Sequence, residues 1–144
     1  MGRKNKLRKF AEILSFPNVY ECYNVKQPSL VGADMEPVDL KGNWNKLHFK
    51  NERPITLELA CGGGEYTVGL ARQFPDRNFI GVDVKGNRIW KGAKSALEQG
   101  LANAAFLRTR IEIIGRFFAP GEVDEIWITF PDPFPRAGKE NRRL

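Results

Sequence analysis

From residue 54 onward, short apolar runs alternate with longer segments in which apolar residues recur every three or four positions. The short runs predict four strands, at Ile55–Leu59, Asn78–Val82, Ala104–Leu107 and Glu125–Phe130. The longer segments predict helices over Tyr66–Gln73, over Gly86–Gln99 with Gly100 closing it, and over Ile111–Phe118. Regular alternation of strands and helices is typical of a parallel sheet covered by helices on both faces. The pattern therefore predicts an α/β fold.

The first 52 residues show no comparable period. They contain Pro17, Pro28 and Pro37, and this composition predicts an irregular, basic N-terminal extension with one short helix. We therefore divide the chain into this extension, residues 1–52, and a sheet domain, residues 53–144. Four strands are fewer than an open sheet of this kind usually holds, and few residues follow the fourth strand. We therefore expect a truncated chain. Its last strand would leave a sheet edge open to pairing with another chain, while the oligomeric state stays open.

Composition narrows the class of protein. The 144 residues are 42% hydrophobic, which is enough for one core. No apolar run is long enough to cross a membrane, and Glu12 interrupts the apolar stretch near the N-terminus. We therefore expect a soluble, cytoplasmic protein without a membrane partner. Cys22, Cys61 and His48 are too few for a disulfide framework or a structural zinc site, so we expect no metal.

The net charge of +6 is concentrated at the two ends of the chain. Residues 1–9 contain five bases and no acid, namely Arg3, Lys4, Lys6, Arg8 and Lys9. Residues 136–144 contain four bases against Glu140, namely Arg136, Lys139, Arg142 and Arg143. Such ends suit a polyanion, although two solvated tails would have the same composition.

A glycine cluster follows the first predicted strand. Gly62, Gly63 and Gly64 lie where the chain must turn tightly before a helix, whose first N–H groups have no partner within the helix. The spacing does not fit the dinucleotide pattern G-x-G-x-x-G, because Thr67 stands in the place of the last glycine. A second acid, Asp83, ends the next strand nineteen residues after Gly64, where a carboxylate that binds ribose hydroxyls should fall.

This region resembles the E/D-x-G-x-G-x-G loop of S-adenosylmethionine-dependent methyltransferases. Glu58, Gly62 and Gly64 match it, and Ala60 stands in place of the first glycine. The resemblance implies that Glu58 orients the loop and the methionine end of the cofactor, and that Asp83 accepts hydrogen bonds from its ribose. Without the resemblance, Glu58 would be an exposed strand residue and Asp83 an ordinary turn former.

An acid framed by prolines follows the fourth predicted strand, in the segment T-F-P-D-P-F-P over residues 129–135. The prolines stiffen the chain and hold Asp132 at the carboxyl end of the strand, where ligand crevices of open α/β sheets lie. Taken alone, the segment could equally be a rigid turn. With the basic run up to Leu144, it resembles the F-P-D-P-W-P-K-x-R-H-x-K-R-R-L signature of bacterial tRNA (guanine-N7-)-methyltransferases. The segments G-R-K-N-K-L-R-K and G-V-D-V also resemble this family. The departures are Phe134, Gly138, Lys139, Asn141 and, after the third strand, Arg110.

The resemblance implies a Rossmann-like domain that uses S-adenosylmethionine to methylate guanine N7 in tRNA. It makes Asp132 the catalytic residue and assigns adenine binding to backbone groups of Arg110 and Ile111. It assigns contacts with tRNA phosphates to Arg136, Lys139, Arg142 and Arg143, which the N-terminal bases could extend. Phe134 could stack on a base or pack beneath the turn. The family's later T-x-x-x-Y-x-E-type motif is absent, which adds to the expectation of a truncated chain and puts its own activity in question.

Two other functions stay open at this point. Asp132-Pro133-Phe134 faintly resembles the D/N-P-P-Y/F motif of adenine or amino-group methyltransferases, but it lacks the second proline. Alternatively, the chain could be a basic nucleic-acid-binding domain that has the fold without the activity.

Overall fold

The computed structural model describes residues 3–22, 26 and 29–128. Within these ranges one sheet holds seven strands in the order β3-β2-β1-β6-β5-β4-β7. The strands are β1 (Val19–Cys22), β2 (Leu30–Val31), β3 (Pro37–Val38), β4 (Ile55–Leu59), β5 (Asn78–Asp83), β6 (Ala104–Arg108) and β7 (Glu125–Ile128). The helices are α1 (Arg3–Ile13), α2 (Glu65–Gln73) and α3 (Gly86–Glu98). Ala33–Met35 and Ile111–Phe117 form 3₁₀ segments, and Trp44–Phe49 forms a π-helical segment.

The strands from β1 through β6, β5 and β4 to β7 pair in parallel, whereas β2 and β3 are antiparallel to their neighbours. Every residue of β4 and β5 is buried, as expected for near-continuous apolar strands covered on both faces. On one face, α1, α2 and α3 enclose a core around Phe79 and Phe106. On the other, Trp44 and Phe117 cover a core around Ile80. The predicted α/β architecture is confirmed.

The sequence pattern located the central elements within one or two residues. The predicted strands at 55–59, 78–82 and 104–107 and the helices beginning at 66 and 86 are all present. The short helix predicted over Ile111–Phe118 is a 3₁₀ segment that ends at Phe117. The fourth predicted strand is described over Glu125–Ile128, and its last two predicted residues lie outside the described ranges.

The N-terminal region corrects the prediction of four strands and an irregular extension. It forms α1 and three strands that belong to the same sheet, with β1 lying beside β6 so that Val19 is opposite Phe106. The period was invisible because β2 and β3 have two residues each and β3 begins with Pro37. Strands this short carry no repeating pattern of apolar residues, and their position depends on pairing with β1 and with each other.

β7 is the outermost described strand on its side of the sheet and pairs with β4. Ile126, Trp127 and Ile128 are 57%, 41% and 58% exposed. No helix within the described ranges combines the length and the apolar character that crossing a membrane requires.

Candidate cofactor site

The carboxyl ends of the parallel strands form one edge at which the predicted cofactor residues gather. Leu59 at the end of β4 is opposite Val82 and Ile128, and Asp83 at the end of β5 is opposite Arg108. In an open α/β sheet this edge holds the ligand crevice. The segment from Ala60 to Gly64 leaves β4 there and leads into α2, and we call it the glycine loop.

Alternate residues of the glycine loop adopt left-handed backbone conformations. Ala60, Gly62 and Gly64 have φ of 58°, 57° and 77°. The loop is held by hydrogen bonds from Cys61 N–H to the Val82 carbonyl and from Gly64 N–H to the Cys61 carbonyl, both at 2.9 Å. A side chain in this conformation costs about 1–2 kcal/mol. The left-handed conformation at Ala60 therefore explains why the methyltransferase pattern has glycine at this position.

The glycine loop lies directly on α3. A Cβ added to Gly92 would come within 2.9 Å of the Gly63 carbonyl oxygen and 3.1 Å of the Gly64 Cα atom. It would also meet the Phe106 ring at 2.9 Å. Gly92 lies inside a helix, where glycine costs about 1 kcal/mol relative to alanine, so close packing accounts for its presence.

Asp83 binds the glycine loop from the neighbouring strand. The residue is 5% exposed, and its carboxylate accepts hydrogen bonds from Gly62 N–H at 2.9 Å and from Lys85 N–H at 3.0 Å. Asp83 is thus more than an ordinary turn former, because it joins the end of β5 to a loop twenty-one positions away. A carboxylate oxygen can accept more than one hydrogen bond, so both oxygens keep capacity for ribose hydroxyls.

Glu58 is buried rather than exposed, which rules out its interpretation as a surface strand residue. It lies within β4, is 5% exposed, and accepts a hydrogen bond of 2.6 Å from the Thr67 hydroxyl. Thr67 is in the first turn of α2, so Glu58 fixes the start of this helix relative to the strand. Gly64 precedes α2 without a side-chain cap, which leaves the helix start able to receive an anionic group such as a carboxylate.

Arg110 and Ile111 come directly after β6 at the same edge. Thr109 N–H donates a hydrogen bond of 3.1 Å to the Asp83 carbonyl, which brings this segment beside the ribose-binding candidate. Arg110 is exposed and adopts an extended conformation before the 3₁₀ segment. The structure therefore brings Glu58, Ala60, Gly62, Gly64, Asp83, Arg110 and Ile111 to one edge of the sheet.

Sequence reasoning missed Arg108, whose side chain supports this edge. Its Nε donates a hydrogen bond of 3.1 Å to the Val84 carbonyl, next to Asp83. Its guanidinium also lies 4.2 Å from the centre of the Phe10 ring and 3.5 Å from the buried carboxylate of Glu21. These partners come from α1, β1 and the turn after β5, so no local signal in the sequence could have found the arrangement. Thr67 and Gly92 were missed as well. Gly92 lies inside the helix predicted over residues 86–99, and a glycine in that position could have indicated close packing against another segment.

The thiol of Cys61 lies in the glycine loop but is unsuited to act as a nucleophile. Burial raises its pKa well above the usual value, and the carboxylates of Glu58 and Asp83 raise it further. A thiol that stays protonated is a poor nucleophile. Among the described residues, no group of histidine, cysteine and acidic side chains could hold a metal ion.

The proposed substrate residues Asp132, Phe134, Arg136, Lys139, Arg142 and Arg143 lie outside the described residues. Their roles stay predictions. The last described residue before them is Ile128, which is opposite Leu59 immediately before the glycine loop.

Comparisons with known proteins agree with this geometry. A family model described as "Putative methyltransferase" matches residues 52–144. A tRNA (guanine-N(7)-)-methyltransferase of Bacteroides fragilis (strain YCH46) is 58% identical over 141 residues, which are 98% of this chain and 53% of the relative. A protein of the same name from Christiangramia forsetii is 55% identical over 144 residues, which are 100% of this chain and 62% of the relative. The chain thus spans between half and two thirds of these relatives' length.

Solved structures share the fold. The aminoglycoside resistance methyltransferase NpmB1 superimposes with a TM-score of 0.56 at 22% identity, over 67% of this chain and 48% of that one. The antibiotic-resistance methyltransferase Kmr gives 0.56 at 21% identity, over 66% of this chain and 50% of that one. Identities this low support the Rossmann-like fold alone.

Proposed function

We propose that the chain, which belongs to the methyltransferase family matched over residues 52–144, forms the cofactor-binding part of an enzyme that methylates guanine N7 in tRNA. The observation that carries the proposal is the hydrogen bond between the Asp83 carboxylate and Gly62 N–H. It brings the two separate cofactor motifs of the sequence together at the ligand edge of the sheet. The names of relatives that match nearly the whole chain support tRNA as the substrate.

The residues present fit S-adenosylmethionine. The buried Asp83 carboxylate suits a ribose diol, because each oxygen can accept one hydroxyl. A Cβ placed on Gly62 would have no neighbour within 4 Å, so the loop backbone is open on that side for a ligand. The uncapped start of α2, fixed by Glu58 through Thr67, suits the carboxylate of the methionine moiety.

The chemistry asks for little acid–base catalysis. The cofactor supplies an electrophilic methyl group on a sulfonium. Guanine N7 carries a lone pair in the ring plane and no proton, so no residue needs to act as a general base. The protein contributes alignment and charge. In this proposal Asp132 binds the donor edge of the guanine and offsets the positive charge that develops on the ring.

The basic residues Arg136, Lys139, Arg142 and Arg143 bind tRNA phosphates in this proposal, together with the N-terminal bases. Phosphate contacts fix the position of the RNA and make its binding depend steeply on salt. Residues 53–144 then form the N-terminal part of the methyltransferase domain, and the protein acts in the cytoplasm, where tRNA is its partner.

The test is transfer of labelled methyl groups from S-adenosylmethionine to tRNA, followed by chemical cleavage of the RNA at N7-methylated guanines. The chain is assayed with its natural C-terminal continuation wherever the gene encodes one. We expect labelled tRNA that is cleaved at one position. We also expect Asp132→Ala to abolish transfer while S-adenosylhomocysteine still binds.

Label without cleavage would contradict the N7 assignment and favour an amino-group methyltransferase. Binding of tRNA without any transfer or any cofactor binding would favour a basic RNA-binding domain. If Asp132→Ala reduced cofactor affinity as strongly as transfer, Asp132 would be a cofactor residue.

A further inference from the structure

Two helices that pack against each other, α1 and α3, are both basic. Together α1 and α3 carry a net charge of +6, which equals the net charge of the whole chain. The remaining residues therefore sum to zero. The sequence indicated only the contribution of α1, because the bases of α3 are spread through an ordinary amphipathic helix and become neighbours of α1 through the fold alone.

The two helices meet around Trp90, whose ring makes a cation–π contact with one lysine from each helix. The Nζ atom of Lys9 on α1 lies 4.6 Å from the ring centre, and the Nζ atom of Lys94 on α3 lies 4.8 Å from it. The indole N–H donates a hydrogen bond of 2.9 Å to Glu12. The two ammonium groups therefore lie within about 10 Å of each other, and each gains a weak attraction from the ring.

Further bases continue this surface. Arg88 and Lys91 are exposed on the two turns of α3 before Lys94, and Lys6 and Arg8 are exposed on α1. We call this set the α1–α3 basic face, with residues Lys6, Arg8, Lys9, Arg88, Lys91 and Lys94. Two of these bases have acidic partners, since Arg8 lies 3.7 Å from Glu12 and Lys91 lies 3.5 Å from Glu65. With those two acids counted, the face still has an excess of positive charge, so a polyanion that binds it would reduce the repulsion between the adjoining helices.

We propose that the α1–α3 basic face binds phosphates of the RNA substrate, with Lys9 and Lys94 on either side of Trp90 as its centre. The proposal rests on the proposed function for the identity of the polyanion. α3 begins three residues after Asp83, so the face starts beside the cofactor edge and extends away from it along the helix. RNA bound there would reach the methyl-transfer site from the helical side of the sheet.

The decisive variant is Lys9→Gln with Lys94→Gln, which removes two charges and keeps the size of the side chains. The matched control is Lys41→Gln with Lys46→Gln, which removes two exposed lysines from the segment covering the other face of the sheet. The dissociation constant for unmodified tRNA is measured by fluorescence anisotropy at several salt concentrations between about 50 and 200 mM, without cofactor.

We expect the Lys9/Lys94 variant to bind tRNA at least tenfold more weakly at the lowest salt. The slope of log affinity against log salt should fall by about one to two. The control should retain affinity and slope, and S-adenosylhomocysteine should bind all three proteins equally. Equal losses in both variants, or no loss in either, would overturn the proposal.

The emission of Trp90 provides a second readout. In Trp127→Phe, which removes the exposed tryptophan next to the proposed Asp132 site, binding of tRNA should still change the tryptophan emission, and adding Trp90→Phe should abolish that change. An equal change in the double variant would contradict contact at this face. Binding of anionic vesicles through the same lysines, with no effect on tRNA affinity, would assign the face to a membrane surface and also overturn the proposal.

These readouts separate the inference from the proposed function. Loss of methyl transfer with intact, lysine-dependent tRNA binding would refute the proposed function and leave the basic face standing. Methyl transfer to N7, together with a tRNA affinity that is unaffected by substitution of Lys9 and Lys94, would support the proposed function and refute the role of the basic face.

Discussion

Substituting Gly92 tests whether the glycine loop depends on its close contact with α3. In Gly92→Ala the new Cβ would lie 2.9 Å from the Gly63 carbonyl oxygen, 2.9 Å from the Phe106 ring and 3.1 Å from the Gly64 Cα atom. Carbon atoms in good contact are separated by about 3.5–4.0 Å. Either the glycine loop or the Phe106 ring must therefore move by several tenths of an ångström.

The size of the effect follows from two opposing contributions. Replacing glycine by alanine inside a helix stabilises it by about 1 kcal/mol. Overpacking of a close-packed core costs about 1–3 kcal/mol, so Gly92→Ala should lower the free energy of unfolding by up to about 2 kcal/mol. Gly69→Ala is the matched control, because Gly69 lies inside α2 and an added Cβ would meet nothing within 4 Å. It should raise the free energy of unfolding by about 1 kcal/mol.

Urea denaturation followed by circular dichroism measures both free energies, and calorimetric titration with S-adenosylhomocysteine measures the cofactor site. We expect the two variants to change stability in opposite directions, and Gly92→Ala alone to weaken cofactor binding. Equal stabilisation by both substitutions, with unchanged cofactor affinity, would refute the inferred packing of the glycine loop on α3.

Three further predictions follow from single residues. Ala60→Gly should raise the free energy of unfolding by about 0.5–1 kcal/mol in urea denaturation, because it relieves the left-handed backbone, whereas Ala11→Gly in α1 should lower it by about 1 kcal/mol. Equal losses in both would contradict the loop conformation. Thr67→Val leaves the buried Glu58 carboxylate without its 2.6 Å hydrogen bond and should cost about 2 kcal/mol in the same assay; Thr67→Ser should retain most of the stability, and an equal loss in both would contradict the role of the hydroxyl. Burial and the charge of Lys50 lower the pKa of His48 from 6.5 to about 4, so its contribution to stability is complete above about pH 6.5 and is lost as the pH falls towards 4. Unfolding free energies across that range should fall less steeply in His48→Gln, and identical pH profiles would contradict a buried, neutral imidazole.

The sequence allowed the central part of the fold to be predicted because its signals are local. The strands β4, β5 and β6 are buried on both faces and appear as apolar runs, and the glycine loop appears as a glycine cluster after the first of them. Asp83 could be assigned because its distance from the loop reflects the length of one strand–helix–strand unit. These features can be read along the chain without knowing which segments meet.

The features that escaped prediction are either too short to carry a pattern or depend on segments far apart in the chain. β2 and β3 are too short to carry a period, and their places in the sheet come from pairing. Two sets of contacts join α1 or β1 to elements about eighty to a hundred residues later. They are the contacts of Arg108 with Glu21 and Phe10, and those of Lys9 and Lys94 with Trp90. The position of Ala60 was found by comparison with a motif, whereas its strained φ is a property of the folded loop.

The most direct test of the account is calorimetric titration of the chain with S-adenosylhomocysteine, the stable product of methyl transfer. It is carried out on the unaltered chain, on Asp83→Asn and on Asp76→Asn, whose side chain is exposed and precedes β5, at the opposite end of that strand from Asp83. We predict binding in the micromolar range for the unaltered chain and the Asp76 variant, and at least tenfold weaker binding for the Asp83 variant. Absence of binding to the unaltered chain, or equal binding to all three, would contradict a cofactor site built from the glycine loop and Asp83.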